Sequence, residues 1–374
     1  MCSLFFERED DRKTLSAPLC FALAVLQLVG MGFPAFAEER NPSLPSKEEA
    51  KALVERSNKL TSLRAFGSAP FHIHAKVKSY GPKGQNIQGT YELWWASLDR
   101  WREEINWGDK SFARIANNNR LWIIGADTYR LDTLHVTELL GFSSRIGIPA
   151  DRSIDRVQAK QIGGVPAICM RLFHFSSAPG EASIAGTGLL IMSPLNVERS
   201  ACWDAATGLP LRIEAGSDRV ELGNYSAIGD KQFPHKLHEL RGGKTLIEVE
   251  LDSLELLDVM TTDALTPPGG TSAKPWCVNM ISPTPLRFGN ASSTTSLPGG
   301  GFNTPLPTEL LGRELVVFRV DEAGRAVDVH AFTTGGEVSF KDRERLTLLE
   351  SRFRPATCDG RPVEADFVMH GKGR

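Results

Sequence analysis

Five of the chain's seven tryptophans, Trp94, Trp95, Trp101, Trp107 and Trp122, fall between residues 94 and 122. Indole rings gathered on one side of a sheet can line a pocket for an apolar ligand. The same rings can also make a plain core, because aromatic side chains dominate core burial. Both readings stand at this level, although adjacent Trp94 and Trp95 must point to opposite faces of a strand, so at most one of them lines an interior. Other reactive combinations fall short of a site. His72 and His74 share a strand face and could both touch a metal, but no third ligand lies beside them, and strand alternation accounts for both. His238-Glu239 opens like a zinc-protease helix, yet Gly242 stands where the second histidine is required. Gly243-Lys244-Thr245 matches the end of a phosphate loop, but His238 occupies the position of its first glycine. There is no G-x-S-x-G nucleophile elbow. Glu103 and Glu104 face opposite ways on a strand. We therefore expect no catalytic residue, no cofactor and no metal, and a protein that is not an enzyme.

Composition agrees with a folded binding protein. Of 374 residues, 41% are hydrophobic, enough for a packed core, and the net charge is −2. Residues 1–37 hold four acids and three bases, so without them the charge is −1. Basic residues are scattered, which argues against a nucleic-acid partner. Residues 15–37 carry no charge, run apolar from Leu15 to Phe33, and exit through Ala35-Phe36-Ala37 before Glu38. This reads as a secretory signal peptide and predicts an exported protein. The same stretch approaches the ~20 residues needed to span a bilayer, so an uncleaved inner-membrane anchor is the alternative.

The elements that must hold these residues are mostly strands. Ser46 and Glu49 form a capping-box pattern ahead of an amphipathic helix with Ala50, Leu53, Val54, Leu60 and Leu63 on one side. Phe71, Ile73, Ala75 and Val77 then alternate with polar residues, and Trp101, Glu103, Ile105 and Trp107 share a face of a later strand. Asn117-Asn118-Asn119 makes a turn. Asp132 to Leu140 reads as a helix. Lys236–Leu240, Gly242-Gly243 and Thr245–Leu251 read as a hairpin with a primed turn. No β-α-β alternation occurs, which argues against a parallel sheet.

Residues 263–302 are rich in Pro, Gly, Ser and Thr and read as a linker, with Pro298-Gly299-Gly300-Gly301 at its end. It separates a β-rich domain, residues 38–262, from a C-terminal domain, residues 303–374. The latter reads as strand (Glu314–Val320), turn (Asp321–Gly324), strand (Ala326–Phe332), helix and strand (Val363–Met369). Its helix is expected to be capped by Ser339, to present Leu346, Leu349 and Phe353 as one stripe, and to stop at Pro355. Beyond the leader four cysteines remain, Cys169, Cys202, Cys277 and Cys358. They allow three pairings in an exported chain. Cys169–Cys202 and Cys277–Cys358 are favoured, because each pair then stays within one proposed module.

Two resemblances go further. The helix and meander with Tyr91-Glu92-Leu93-Trp94-Trp95, Arg100-Trp101-Arg102-Glu103-Glu104 and Asn119-Arg120-Leu121-Trp122, followed by Cys202-Trp203-Asp204 and Gly208-Leu209-Pro210-Leu211-Arg212-Ile213, resembles the outer-membrane lipoprotein-sorting (LolA-like) family. That resemblance implies an incomplete antiparallel β-barrel with covering helices whose hollow accepts acyl chains of a lipid or lipoprotein. The five tryptophans would then be ligand-binding. Residues 303–370, with Pro305, Pro307, Gly324, Arg352-Phe353-Arg354-Pro355-Ala356 and Asp359-Gly360-Arg361-Pro362-Val363, resemble the TonB C-terminal domain. This implies a small ββαβ module that docks an envelope or outer-membrane protein, with Arg352, Phe353, Val363 and Phe367 as partner-binding candidates. Both resemblances imply the bacterial envelope, so the exported protein is expected to be periplasmic. The fold class is thus mainly β with an α+β tail. Two alternatives are an envelope adaptor without a ligand cavity, and a TonB-like energy-transducer relative if the N-terminal segment stays as an anchor.

Overall fold

Ser46 begins the first helix, α1 (Lys47–Thr61), by a reciprocal cap. Its hydroxyl accepts from the Glu49 N–H at 3.2 Å, and the Glu49 carboxylate accepts from the Ser46 N–H at 2.7 Å. The helix buries Ala50, Leu53 and Val54. In this computed structural model the described residues are 44–65, 67–81, 86–125, 131–143, 154–172, 189–192, 199–215, 218–260, 263–278, 280–281, 283–287, 315–333 and 336–370. The leader, the glycine run 299–301 and the prolines at 305 and 307 lie outside them.

Strands β1 (Phe71–Tyr80), β2 (Asn86–Ser97), β3 (Arg100–Trp107), β4 (Lys110–Asn117) and β5 (Arg120–Ile124) form an antiparallel meander. Asn118 and Asn119 take φ values of 51° and 60° in its last turn, a conformation asparagine tolerates. Helix α2 (Leu131–Ser143) follows. A second run comprises β6 (Ile154–Ile162), β7 (Val165–Leu172), β8 (Leu189–Met192), β9 (Arg199–Asp204), β10 (Pro210–Ala215), β11 (Asp218–Ile228), β12 (Lys231–Arg241) and β13 (Lys244–Leu256). Gly242 and Gly243, at φ 55° and 79°, make the tight β12–β13 turn, which needs positive φ at both positions. β1 pairs with β13, joining the two runs.

One sheet of thirteen strands results, with order β14-β5-β4-β3-β2-β1-β13-β12-β11-β10-β9-β7-β6, where β14 is Lys274–Pro275. All its described pairings are antiparallel. Its two ends are not paired to each other, so the sheet is open. The protein is mainly β with few helices. The inner face gathers Phe71, Ile73, Ala75 and Val77 of β1, Tyr91, Leu93 and Trp95 of β2, and Ile247, Val249 and Leu251 of β13. Helices α1 and α2 add their apolar residues to the same core. Consecutive His135, Val136 and Thr137 of α2 are all buried. Successive residues project about 100° apart around a helix, so α2 is covered on more than one side.

Part of the Pro/Gly-rich stretch belongs to this core. Leu265, in a single helical turn Asp263–Leu265, is buried and its carbonyl accepts from Asn117. Trp276 is also buried and packs edge-on against Trp101 at 5.4 Å.

The C-terminal strands are β15 (Thr284–Arg287), β16 (Leu315–Val320), β17 (Ala326–Thr333), β18 (Gly336–Val338), then α3 (Asp342–Leu349), β19 (Arg352–Arg354), β20 (Ala356–Cys358), β21 (Arg361–Val363) and β22 (Ala365–His370). A five-stranded sheet has the order β18-β17-β16-β22-β8, in which β8 pairs parallel with β22. β15 pairs with β19, and β20 with β21. In chain order the tail runs β16, β17, β18, α3, β19, β20, β21 and β22, with β8 added at the edge of its sheet.

Three details of the tail differ from expectation. The helix runs from Asp342 to Leu349 and ends six residues before Pro355. Phe353 lies on β19, not on the helix. Leu348 is buried, while Leu346 and Leu349 are exposed. An eight-residue helix shows barely two turns of periodicity, and β-pairing of Arg352–Arg354 with β15 wins over its continuation. In β17, Asp328 adopts φ 53° at a register shift opposite Val317–Arg319. The extra residue reverses the alternation, so Ala326 and Ala331 are buried and Val327 is only half-buried.

Candidate functional site

The two-residue turn Gly108-Asp109 pairs Trp107 with Lys110 and thereby sets Glu103 opposite Arg114. Both side chains point to the inner face, among tryptophans. Arg114 Nε donates to Glu103 Oε2 at 2.9 Å, and Arg114 Nη2 donates to the same oxygen. Tyr91 Oη, from β2, donates to Glu103 Oε1 at 2.9 Å. Arg64, from the segment after α1, donates to Tyr91 Oη at 2.9 Å and lies 3.9 Å from Glu103 Oε1. The guanidinium of Arg64 sits 5.8 Å from the Trp95 ring, and that of Arg114 5.7 Å from the Trp101 ring.

Electrostatics inside this knot follow from burial and two cations. Desolvation pushes the Glu103 carboxyl up, but Arg114, Arg64 and the hydrogen bonds from Arg114 and Tyr91 outweigh it and hold it below the usual carboxylate range. Burial, with Glu103 beside it, pushes the Tyr91 phenol well up, so Tyr91 stays a neutral donor. A second buried pair lies on the same face: His135 Nδ1 of α2 is 3.0 Å from Glu239 Oε1 of β12. Trp107 Nε1 donates to Thr133 Oγ1 of α2 at 3.0 Å.

The five candidate tryptophans divide between the two faces of the sheet. Trp95, Trp101 and Trp107 are buried on the inner face, joined by Trp203 and Trp276. Trp94 is on the opposite face, stacked on His72 at 4.8 Å with Arg102 5.5 Å from its ring. The register carries that outer row from His72 through Trp94, Arg102 and Ile115 to Trp122. Trp94 and Trp122 are therefore placed apart from the inner wall by strand alternation. His72 and His74 take carboxylate partners on this outer face: His72 Nε2 is 2.5 Å from Glu92, and His74 Nδ1 is 3.2 Å from Asp252.

Cys169 and Cys202 are directly opposite on β7 and β9 and are bridged. Cys277 is bridged to Cys358, which fastens the stretch after Trp276 to the tail. Phe353 and Phe367 stack with Phe318 inside the tail's core, with centroids 4.9 to 5.2 Å apart. They fill that core and offer little surface to a partner. Arg352 and Val363 are half-buried at its margin.

Glu103 was legible as the one carboxylate on the face of Trp101, Ile105 and Trp107. Arg64 gave no such signal, because its contact with Tyr91 depends on how α1 docks.

No protein-family model matches the chain, and no curated protein matches it. Among solved structures it is similar to a LolA superfamily protein from Nitrosomonas europaea, at 10% identity and TM-score 0.38, covering 58% of this chain and 97% of that one. A putative outer membrane lipoprotein-sorting protein domain from Vibrio parahaemolyticus is similar at 10% identity and TM-score 0.36, covering 59% and 97%. MucB in the Pseudomonas aeruginosa MucA/MucB complex is similar at 14% identity and TM-score 0.25, covering 82% and 91%. Among the described residues no helix is long and apolar enough to cross a membrane.

Proposed function

We propose that this is an exported, non-enzymatic protein of the bacterial periplasm that holds an acyl chain of a lipid or lipoprotein against the inner face of its large sheet. The observation that carries this reading is the aromatic wall itself. Trp95, Trp101, Trp107, Trp203 and Trp276 line one side of an open sheet, and α2 adds Val136, Leu139 and Leu140 to the same core. Such a wall offers apolar area around the knot of Glu103, Arg114, Arg64 and Tyr91, and that area suits an alkyl chain. The uncharged stretch 15–37 and its Ala35-Phe36-Ala37 exit support export. The tail, which resembles a TonB C-terminal module, supplies β-strand edges through which an envelope protein can dock by strand addition.

The test is direct. The mature protein, purified from its native envelope and extracted with solvent, is expected to release acyl chains near one per polypeptide by mass spectrometry. A lipid-free protein that also ignores fluorescent fatty acids refutes the carrier reading. It then favours the second one, an adaptor whose sheet is only a scaffold. The near-complete burial of Trp95 and Trp101 supports that second reading.

A further inference from the structure

The inner wall holds more hydrogen-bond donors than acceptors. Among the described residues, the indole N–H groups of Trp95, Trp101 and Trp203 are buried without a partner. Trp95 and Trp101 are cross-strand neighbours beside the charged knot. Arg64 is only 7% exposed, and its hydrogen bond among the described residues goes to Tyr91 Oη. Glu103 does not hydrogen-bond it: Oε2 accepts from Arg114, and Oε1, which accepts from Tyr91, lies 3.9 Å from Arg64 Nη2. Two guanidinium groups therefore share one carboxylate, and Arg64 is the one held at 3.9 Å. Arginine stays protonated in this setting. Arg64 is not a fully buried orphan, and its donors outside the Tyr91 bond are open to an acceptor that completes them. Charge-assisted hydrogen bonds are the strongest way to do so.

We propose that Arg64, with the indole N–H groups of Trp95 and Trp101, forms a head-group site for a single-chain amphiphile ending in an anionic oxygen group, a carboxylate or a phosphate monoester. This rests on the acyl-chain reading above and specifies the polar end of the ligand. The chain of the ligand lies along the tryptophan wall and its head accepts from Arg64. A neutral head gains the indole hydrogen bonds but leaves the cation short of a counter-charge. The knot thus selects by charge on a wall that otherwise selects only for apolar area.

The experiment measures binding of palmitate, hexadecyl phosphate and hexadecanol to the delipidated full-length mature protein by titration calorimetry. We expect at least one of the two anions to bind about tenfold or more tightly than the alcohol, the fold-change that one charge-assisted hydrogen bond contributes. The tighter of the two identifies the head group. Arg64→Gln is expected to erase the preference by weakening the anions far more than hexadecanol, and Arg64→Lys to retain part of it. Trp101→Phe, which removes one donor and keeps the ring, is expected to weaken the anion alone by a few-fold and guards against a folding defect in the first variant. Equal affinity for all three probes, or a full preference in a folded Arg64→Gln protein, overturns the head-group site and leaves the acyl-chain reading intact. Failure to bind any of the three overturns both.

Discussion

Glu103 and Arg114 face each other across β3 and β4, joined through Glu103 Oε2, in the middle of a wall of tryptophans. Removing one partner of a buried ion pair leaves the other charge uncompensated, at a cost of about 3–5 kcal/mol. Glu103→Gln is expected to lose stability of that order in urea unfolding. Because the folded pKa of Glu103 is depressed, its contribution is present above the unfolded value of 4.5 and is lost as pH falls through the folded one. The wild-type protein should therefore weaken in acid more steeply than Glu103→Gln does. Parallel acid limbs for the two proteins contradict the pairing.

Cys277 and Cys358 are 81 residues apart in sequence. Closing a loop of that length stabilises by about 4–5 kcal/mol in the chain-entropy model. A Cys277→Ser/Cys358→Ser protein is expected to melt earlier than the wild type and to match the wild type in reductant more closely than in oxidant. Non-reducing peptide maps should show both bridges. A shuffled pairing in the native protein contradicts the structure.

Gly324 sits at φ 74°, and a Cβ there would meet the Phe353 carbonyl oxygen at 2.0 Å. The Phe353 N–H donates to the Gly324 carbonyl at 2.9 Å, so the turn and β19 are locked back to back. Gly324→Ala combines a left-handed strain of about 1–2 kcal/mol with a backbone collision. Hydrogen exchange of the tail should accelerate in this variant. An unchanged protection pattern rejects the close approach.

His330 lies between Asp328 at 3.0 Å and Glu337 at 2.7 Å, with Arg319 on the far side of Asp328. Burial works against its imidazolium, but hydrogen bonds and charges from Glu337 and Asp328 prevail and raise its pKa above 6.5. A raised folded pKa gives stability that is fully present below the unfolded value and disappears as pH climbs through the folded one. Melting of the tail should fall as pH rises above about 6.5, and His330→Gln should flatten that slope. An equal slope in the variant assigns the effect elsewhere.

Much of this arrangement is written in local patterns. The capping box of Ser46 and Glu49, the Gly242-Gly243 hairpin and the shared face of Trp101, Glu103 and Ile105 need only neighbours in sequence. Even the Glu103–Arg114 pairing follows from counting back from the turn at Gly108-Asp109. What escapes such reading is non-local or short. Arg64 reaches Tyr91 through helix docking, Trp276 enters the core from a stretch whose composition resembles a tether, and Leu346 and Leu349 mimic a buried stripe on a helix too brief to establish one.

The parallel pairing of Leu189–Met192 with β22 means that the small C-terminal sheet borrows an edge strand from between β7 and β9, strands of the large sheet. A recombinant fragment starting near residue 303 would lack both that strand and Cys277. It would present a raw edge of unpaired main-chain groups, which invites aggregation or promiscuous capture of any extended peptide. Binding observed with such a truncated piece would measure the wound left by the cut, and only the intact polypeptide reports what this region recognises in the cell.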